Sequence, residues 1–241
     1  MTKRKRLLPF LLLVVLSLSF GAAMGNSQDG DNATAQVPFE VAKIFFEFNS
    51  TDSDLGVHVL LDGEDWKTLQ ISDPNGRVIF DLATKGGFKN IGLTELAFEG
   101  AEPLLTATPL AERLEQFPEG EYRFSGKTVD NEKIVGFATL THAVPAGPGD
   151  VSAVLGPGNS LVIGWNIVVA TPTGFPTRPI AIAGFQVIVG SFEVTLPGTA
   201  NVVTVPPAFV ESLPPGVHEV EVLAIDAGGN QTITSGSFTK P

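Results

Sequence analysis

The chain contains no cysteine. That excludes disulfides, a thiol nucleophile, cysteine-ligated zinc, iron–sulfur clusters and the acylated cysteine of a lipoprotein. Imidazole is nearly as scarce, with His58, His142 and His218 as the whole supply. They lie far apart, show no His-x-His or His-x-x-x-His spacing, and each falls in a stretch read as an alternating strand. Each is therefore expected to be a structural ring, not a catalytic base. No P-loop, dinucleotide fingerprint or Gly-x-Ser-x-Gly elbow occurs. Basic residues are few as well: 15 Lys and Arg stand against 26 Asp and Glu, for a net charge of −11. An acidic chain does not collect counterions from nucleic acid or settle on an anionic membrane surface, and its charge favours solubility.

What is present begins with a basic cluster, Lys3 to Arg6, followed by the uncharged apolar run 7–20 and the small residues 21–25. That order is expected to be a secretory signal peptide over residues 1–25. An uncleaved anchor is the competing reading, because the apolar run extended to Met24 reaches the minimum for a membrane span. After cleavage no stable membrane span is expected, and loss of the four basic side chains brings the charge to −15. The absence of cysteine beside an export signal favours a bacterial pathway, with a periplasmic or extracellular destination. The core must then hold by burial alone, without the staples of small secreted domains. Three Asn-x-Ser/Thr matches begin at Asn32, Asn49 and Asn230; in a bacterial exporter they carry no meaning.

Residues 26–37 are small and polar and read as a flexible leader. The stretch "PAGPGD" (145–150) places two prolines and two glycines between alternating segments. It marks an interdomain linker over 146–149, dividing the chain into domains at 38–145 and 150–241. Short alternating runs fill both: "KIFFEF", "GVHVLL", "WKTLQI", "RVIFDL" and "LTELAF" in the first, "IAGFQVIVG", "FEVTL", "NVVTV" and "VHEVEVLAI" in the second. In the last, His218, Val220, Val222 and Ala224 share one face. "TPLAERLEQF" predicts a single short helix near 109–117, with Thr108 as its cap and Leu110, Leu114 and Phe117 on one face. The expected fold class is all-β: two tandem immunoglobulin-like β-sandwiches, the first with one short helix.

One sentence of sequence occurs twice. "FPEGEYRF" (117–124) and "LPPGVHEV" (213–220) both run apolar, Pro, any, Gly, any, ring, any, apolar. In Greek-key sandwiches such a stretch forms the corner where the chain crosses between sheets, and the ring's polar tip bonds back to the crossing backbone. Tyr122 and His218, with Gly120 and Gly216, are therefore the expected structural corners. "LPPGVHEVEVLAIDAGGNQTITSGSFT" (213–239) resembles the last two strands of fibronectin type III and bacterial immunoglobulin-like domains, and "AIDAGGN" resembles the hairpin of the bacterial versions. The resemblance covers 150–241, with a histidine at position 218 where the family places tyrosine and a shorter Gly-to-ring spacing. The first half is similar to stretches of uncharacterised exported bacterial proteins, which implies export and no activity.

The remaining chemistry is carboxylate chemistry. Glu95 and Glu99 share a face of one strand, but four residues at about 3.3 Å each place them about 13 Å apart. A glycosidase pair needs about 5–9.5 Å. Asn49, Asp52 and Asp54, and Asp62, Glu64 and Asp65, form oxygen-rich turns that calcium favours, without the spacing of an EF-hand loop. In "DAGGN" (226–230), Gly is expected to supply the positive φ while Asp226 and Asn230 bond local backbone. Trp66 is expected to pack inward, against the alternative of an exposed ring that stacks on sugar; Trp165 is expected in the core. The sequence thus points to a non-enzymatic exported protein acting in protein interaction, adhesion or envelope architecture, with a protein or glycan partner. The alternatives are a carbohydrate- or calcium-binding accessory module and an enzyme built on the acidic first domain. No catalytic, cofactor-binding or metal-ligating residue is assigned from sequence.

Overall fold

The computed structural model describes residues 36–241; the signal segment expected over 1–25 lies outside them. The N-terminal half contains β1 (Gln36–Pro38), β2 (Val41–Asn49), β3 (Asp54–Ser72), β4 (Val78–Ala83), α1 (Gly87–Ile91), β5 (Leu93–Glu99), α2 (Leu110–Gln116), β6 (Gly120–Thr128) and β7 (Lys133–Leu140). The C-terminal half contains β8 (Ser152–Leu155), a 3-10 turn (Pro157–Asn159), β9 (Leu161–Gly164) and β10 (Ile182–Val189). It continues through β11 (Phe192–Pro197), β12 (Val202–Val205), α3 (Pro207–Ser212), β13 (Gly216–Asp226) and β14 (Gln231–Lys240). The chain is all-β. Among the described residues the single short helix expected becomes three, because α1 and α3 are too brief to show a helical period. The end of the expected leader is also strand: Gln36–Pro38 pairs in parallel with β7.

β3 builds the N-terminal half. Its first part pairs with β2 and β5, its second with β4 and β6. Register shifts on either side of Trp66 bring this even-numbered position inward between two odd-numbered inward sets. Leu55, Val57, Val59 and Leu61 are buried before the shift, and Trp66, Leu69 and Ile71 after it. A bulge bends a strand in this way, and both parts of β3 contribute to one buried cluster. Phe46, Trp66, Tyr122 and Phe124 fill that interior at 0% exposure, each contributing about 1.5–3 kcal/mol through burial. Trp66 points inward, as expected, and its ring meets Phe39 edge-on at 6.4 Å.

A second buried cluster lies between the three-stranded sheet β12-β9-β8 and strands β10 and β13. Trp165 packs there against Phe185, ring centroids 5.4 Å apart. The strand expected over 160–169 stops at Gly164, and Ile167 and Val169 are exposed.

The two halves share a sheet. β14 lies parallel to β2, with Gln231 opposite Glu47 and Ile233 opposite Asn49. This joins the strands in the order β1-β7-β6-β3-β2-β14-β13-β10-β11. The stretch read as a linker is tied down along this seam. The Thr232 hydroxyl donates to the Pro145 carbonyl, Ala146 N–H bonds Ala170 O at 2.8 Å, and Asn166 N–H bonds Gly149 O at 2.8 Å. Phe175, from the second half, packs against Phe48 within the first cluster, ring centroids 4.9 Å apart and planes tilted by 53°.

Candidate functional site

The repeated sentence occupies the same place in both halves. α2 and α3 each follow a proline at the N-cap, Pro109 and Pro206, with no side-chain cap bond. Thr108 therefore does not cap α2, correcting the expectation. Each helix ends at the apolar residue, Phe117 or Leu213, and the chain turns through proline to a glycine with positive φ, 138° at Gly120 and 133° at Gly216. That region favours residues without a Cβ. The ring then reaches back four residues. Tyr122 Oη donates to Pro118 O at 3.1 Å, and His218 Nε2 donates to Pro214 O at 2.8 Å. Tyr122 is fully buried, and burial raises its phenol pKa well above the usual value. His142, expected within a strand, follows β7 instead. Its Nε2 donates to Phe117 O at 2.9 Å, bracing the first corner from outside.

The polar chemistry collects elsewhere, on the face of β2 turned away from the first cluster. Ile44, Phe46 and Phe48 point into that cluster, so alternation turns Phe45 and Glu47 to the other side. Phe45 opposes His58 on β3, and the two rings stack at 5.1 Å and 9°. His58 in turn opposes Glu99 on β5. His58 Nε2 lies 3.7 Å from Glu47 Oε1 and 3.6 Å from Glu99 Oε1. Glu102, from the loop after β5, completes the group: one donor atom each from Glu47, His58, Glu99 and Glu102 lies within 4.8 Å of the others. The Glu102 side chain occupies the space over Gly56, where a Cβ would stand 2.7 Å from its Oε1.

These groups strain one another electrostatically. Burial pushes the Glu47 carboxyl up to about 7 against the bond from Gln231 Nε2, and Glu99, Glu221 and Asp54 raise it further. Burial also pushes Glu102 up to about 9, helped by its hydrogen bond to Glu99 and by the charges of Glu99, Glu47 and Asp54. His58 is held below its ordinary value by burial, against the pull of Glu99. It is therefore neutral near pH 7, with an imidazole nitrogen open to donate a lone pair.

Sequence reasoning noticed His58 and Glu99 singly and missed Glu47 and Glu102. Glu95 lies along β5 opposite Asp62, outside the group. Of the two stretches considered for calcium, the first forms a turn in which Asn49 Oδ1 accepts the Thr51 and Asp52 N–H groups at 3.0 Å each, and the second, Asp62, Glu64 and Asp65, lies within β3. Among the described residues the four-residue group is the one place where three or more such side chains converge. In "DAGGN" Gly229 has the positive φ and Asp226 accepts local backbone N–H groups, as expected, but the Asn230 side chain departs from its expectation. Asn230 is 1% exposed and bonds across the seam instead of locally. Among the described residues no helix is long and apolar enough to cross a membrane.

No family model matches the chain, and no curated protein matches it. Among solved structures it is similar to the spore cortex lytic enzyme SleM of Clostridium perfringens, at 19% identity and TM-score 0.33. That likeness covers 40% of this chain and 28% of the enzyme. It is also similar to fibronectin(III)-like modules of Clostridium thermocellum CbhA, at 12% identity and TM-score 0.29, over 82% of this chain and 91% of that one. Chicken CNTN1 FN1-FN3 domains align at 11% identity and TM-score 0.28, over 85% and 68%.

Proposed function

We propose that the chain is a non-catalytic interaction or adhesion protein of the cell exterior, in which two immunoglobulin-like units act as one stiff arm. The observation that carries this reading is the seam. Parallel pairing of β14 with β2 continues the sheet from one half into the other. Side chains lock it from both sides: Ser50 Oγ donates to Ile233 O at 2.8 Å, and Asn230 spans from β2 to the end of the first half. Tandem domains on a loose linker reorient freely. A shared sheet instead fixes the distance and angle between binding surfaces at the two ends, which suits a molecule that holds a partner at a set reach. Small-angle scattering of the purified chain tests the stiffness, with a single rigid envelope expected. Attachment of chain-coated beads to cells and to immobilised glycans tests the role. A turnover that survives purification and disappears with one point substitution overturns the reading.

A further inference from the structure

We infer that Glu47, His58, Glu99 and Glu102 form a binding site for one divalent transition ion of the zinc type, set beside the seam. The first argument is the donor set. Three carboxylate oxygens and one imidazole nitrogen suit zinc and its first-row neighbours, whereas calcium takes oxygen alone. The second is spacing. Ligands about 2.0–2.2 Å from a tetrahedral zinc stand about 3.4 Å from one another. The observed separations of 3.6 and 3.7 Å from His58 Nε2 require little closure, and no donor pair exceeds 4.8 Å.

The third argument is independent of the acids. His58 Nε2 is buried from solvent and has no hydrogen-bond partner. A buried ring nitrogen without a partner calls for a physical explanation, and this one faces Glu47 and Glu99. Phe45 stacked on the ring fixes its plane, and Gln231 Nε2 holds the other oxygen of Glu47. Support of this kind orients metal ligands. Gly56 leaves the cradle into which Glu102 packs. Among the described residues the charged neighbours acting on Glu47 and Glu102 are acids, and a cation held between the four side chains would offset them. The ion would join β2, β3 and β5, while Glu47 carries its effect to β14 through Gln231. The site is separate from the proposed adhesive role and stands or falls without it.

Isothermal titration of the purified, chelator-stripped chain with Zn²⁺ tests this. One equivalent bound per chain is expected, with a rise in Tm, and Co²⁺ in its place should give visible ligand-field bands. Glu102→Gln and His58→Gln should each weaken Zn²⁺ binding at least ten-fold, while Glu95→Gln on the same strand as Glu99 should leave it unchanged. Circular dichroism establishes that each variant is folded; if His58→Gln is not, the near-isosteric Glu102→Gln carries the comparison. Absence of binding at millimolar Zn²⁺, equal affinity in wild type and Glu102→Gln, or a preference for Ca²⁺ over Zn²⁺ each overturns the proposal.

Discussion

The side-chain oxygen of Asn230 accepts the backbone N–H of Phe46 at 2.9 Å, across 184 positions of sequence. Its amide nitrogen donates to Thr141 O and Thr141 Oγ1, both at 3.0 Å, and to Ala143 O at 3.3 Å. One buried amide thus satisfies both β2 and the chain leaving β7.

Asn230→Ala removes all of these partners at once and leaves a buried N–H on Phe46. An unsatisfied buried group costs about 1–3 kcal/mol, so a loss of about 2–4 kcal/mol is expected in denaturant melts. Calorimetry should also show the single transition broadening or splitting, because the seam is what couples the two buried clusters.

The corners differ in burial and should differ in energy. Tyr122→Phe keeps the ring and removes one hydrogen bond inside the first cluster, with an expected cost of about 1 kcal/mol. His218→Phe removes a bond that water can replace, and its midpoint shift should be less than half as large. Equal shifts would mean that burial does not set the strength of the corner bond.

Two glycines in regular strands make opposite forecasts. At Gly126 a Cβ would lie 1.9 Å from the carbonyl oxygen of Thr68 on the neighbouring strand. Backbone cannot yield there, so Gly126→Ala should destabilise by about 3 kcal/mol. At Gly56 the Cβ meets only the mobile end of Glu102. Gly56→Ala should melt within about 1 kcal/mol of wild type, while any Zn²⁺ affinity falls with the displaced carboxylate.

Asp226 sets a pH dependence. Burial raises its carboxyl from 3.8 to about 6, against backbone N–H bonds from Asn230, Gly228 and Gly229. The folded chain holds this proton more tightly than the unfolded chain does. The resulting stability is complete below pH 3.8 and is lost as pH rises through about 6. The difference in melting free energy between wild type and Asp226→Asn, measured in chelator from pH 3.5 to 7, should move in the variant's favour across that window. A flat difference would contradict the assignment.

Much of the fold was legible locally. Alternation placed the His218–Ala224 face correctly, with Val220, Val222 and Ala224 buried, because a half-buried strand writes its environment every second residue. The repeated Pro-x-Gly-x-ring sentence pointed to the two rings that bond back four residues, Tyr122 to Pro118 O and His218 to Pro214 O, since these groups interact within one turn of chain. α1 and α3 were not legible, being too short for a helical period to emerge. Asn230 was misread for a different reason: its sequence neighbours do form a turn, and only packing shows that its amide is directed elsewhere.

The sequence by itself determined the all-β character and the local bonds of the Tyr122 and His218 rings to Pro118 O and Pro214 O, for these depend on residues within a few positions of one another. Only the tertiary structure decided that β14 pairs with β2, and that Glu47, His58, Glu99 and Glu102 meet. Those outcomes depend on strand register and on which edges find each other, and a one-residue slip of β3 against β2 would turn His58 into the core. The physical reason is range: a periodic pattern fixes which face a side chain takes, while its companions on that face come from strands far away in the chain.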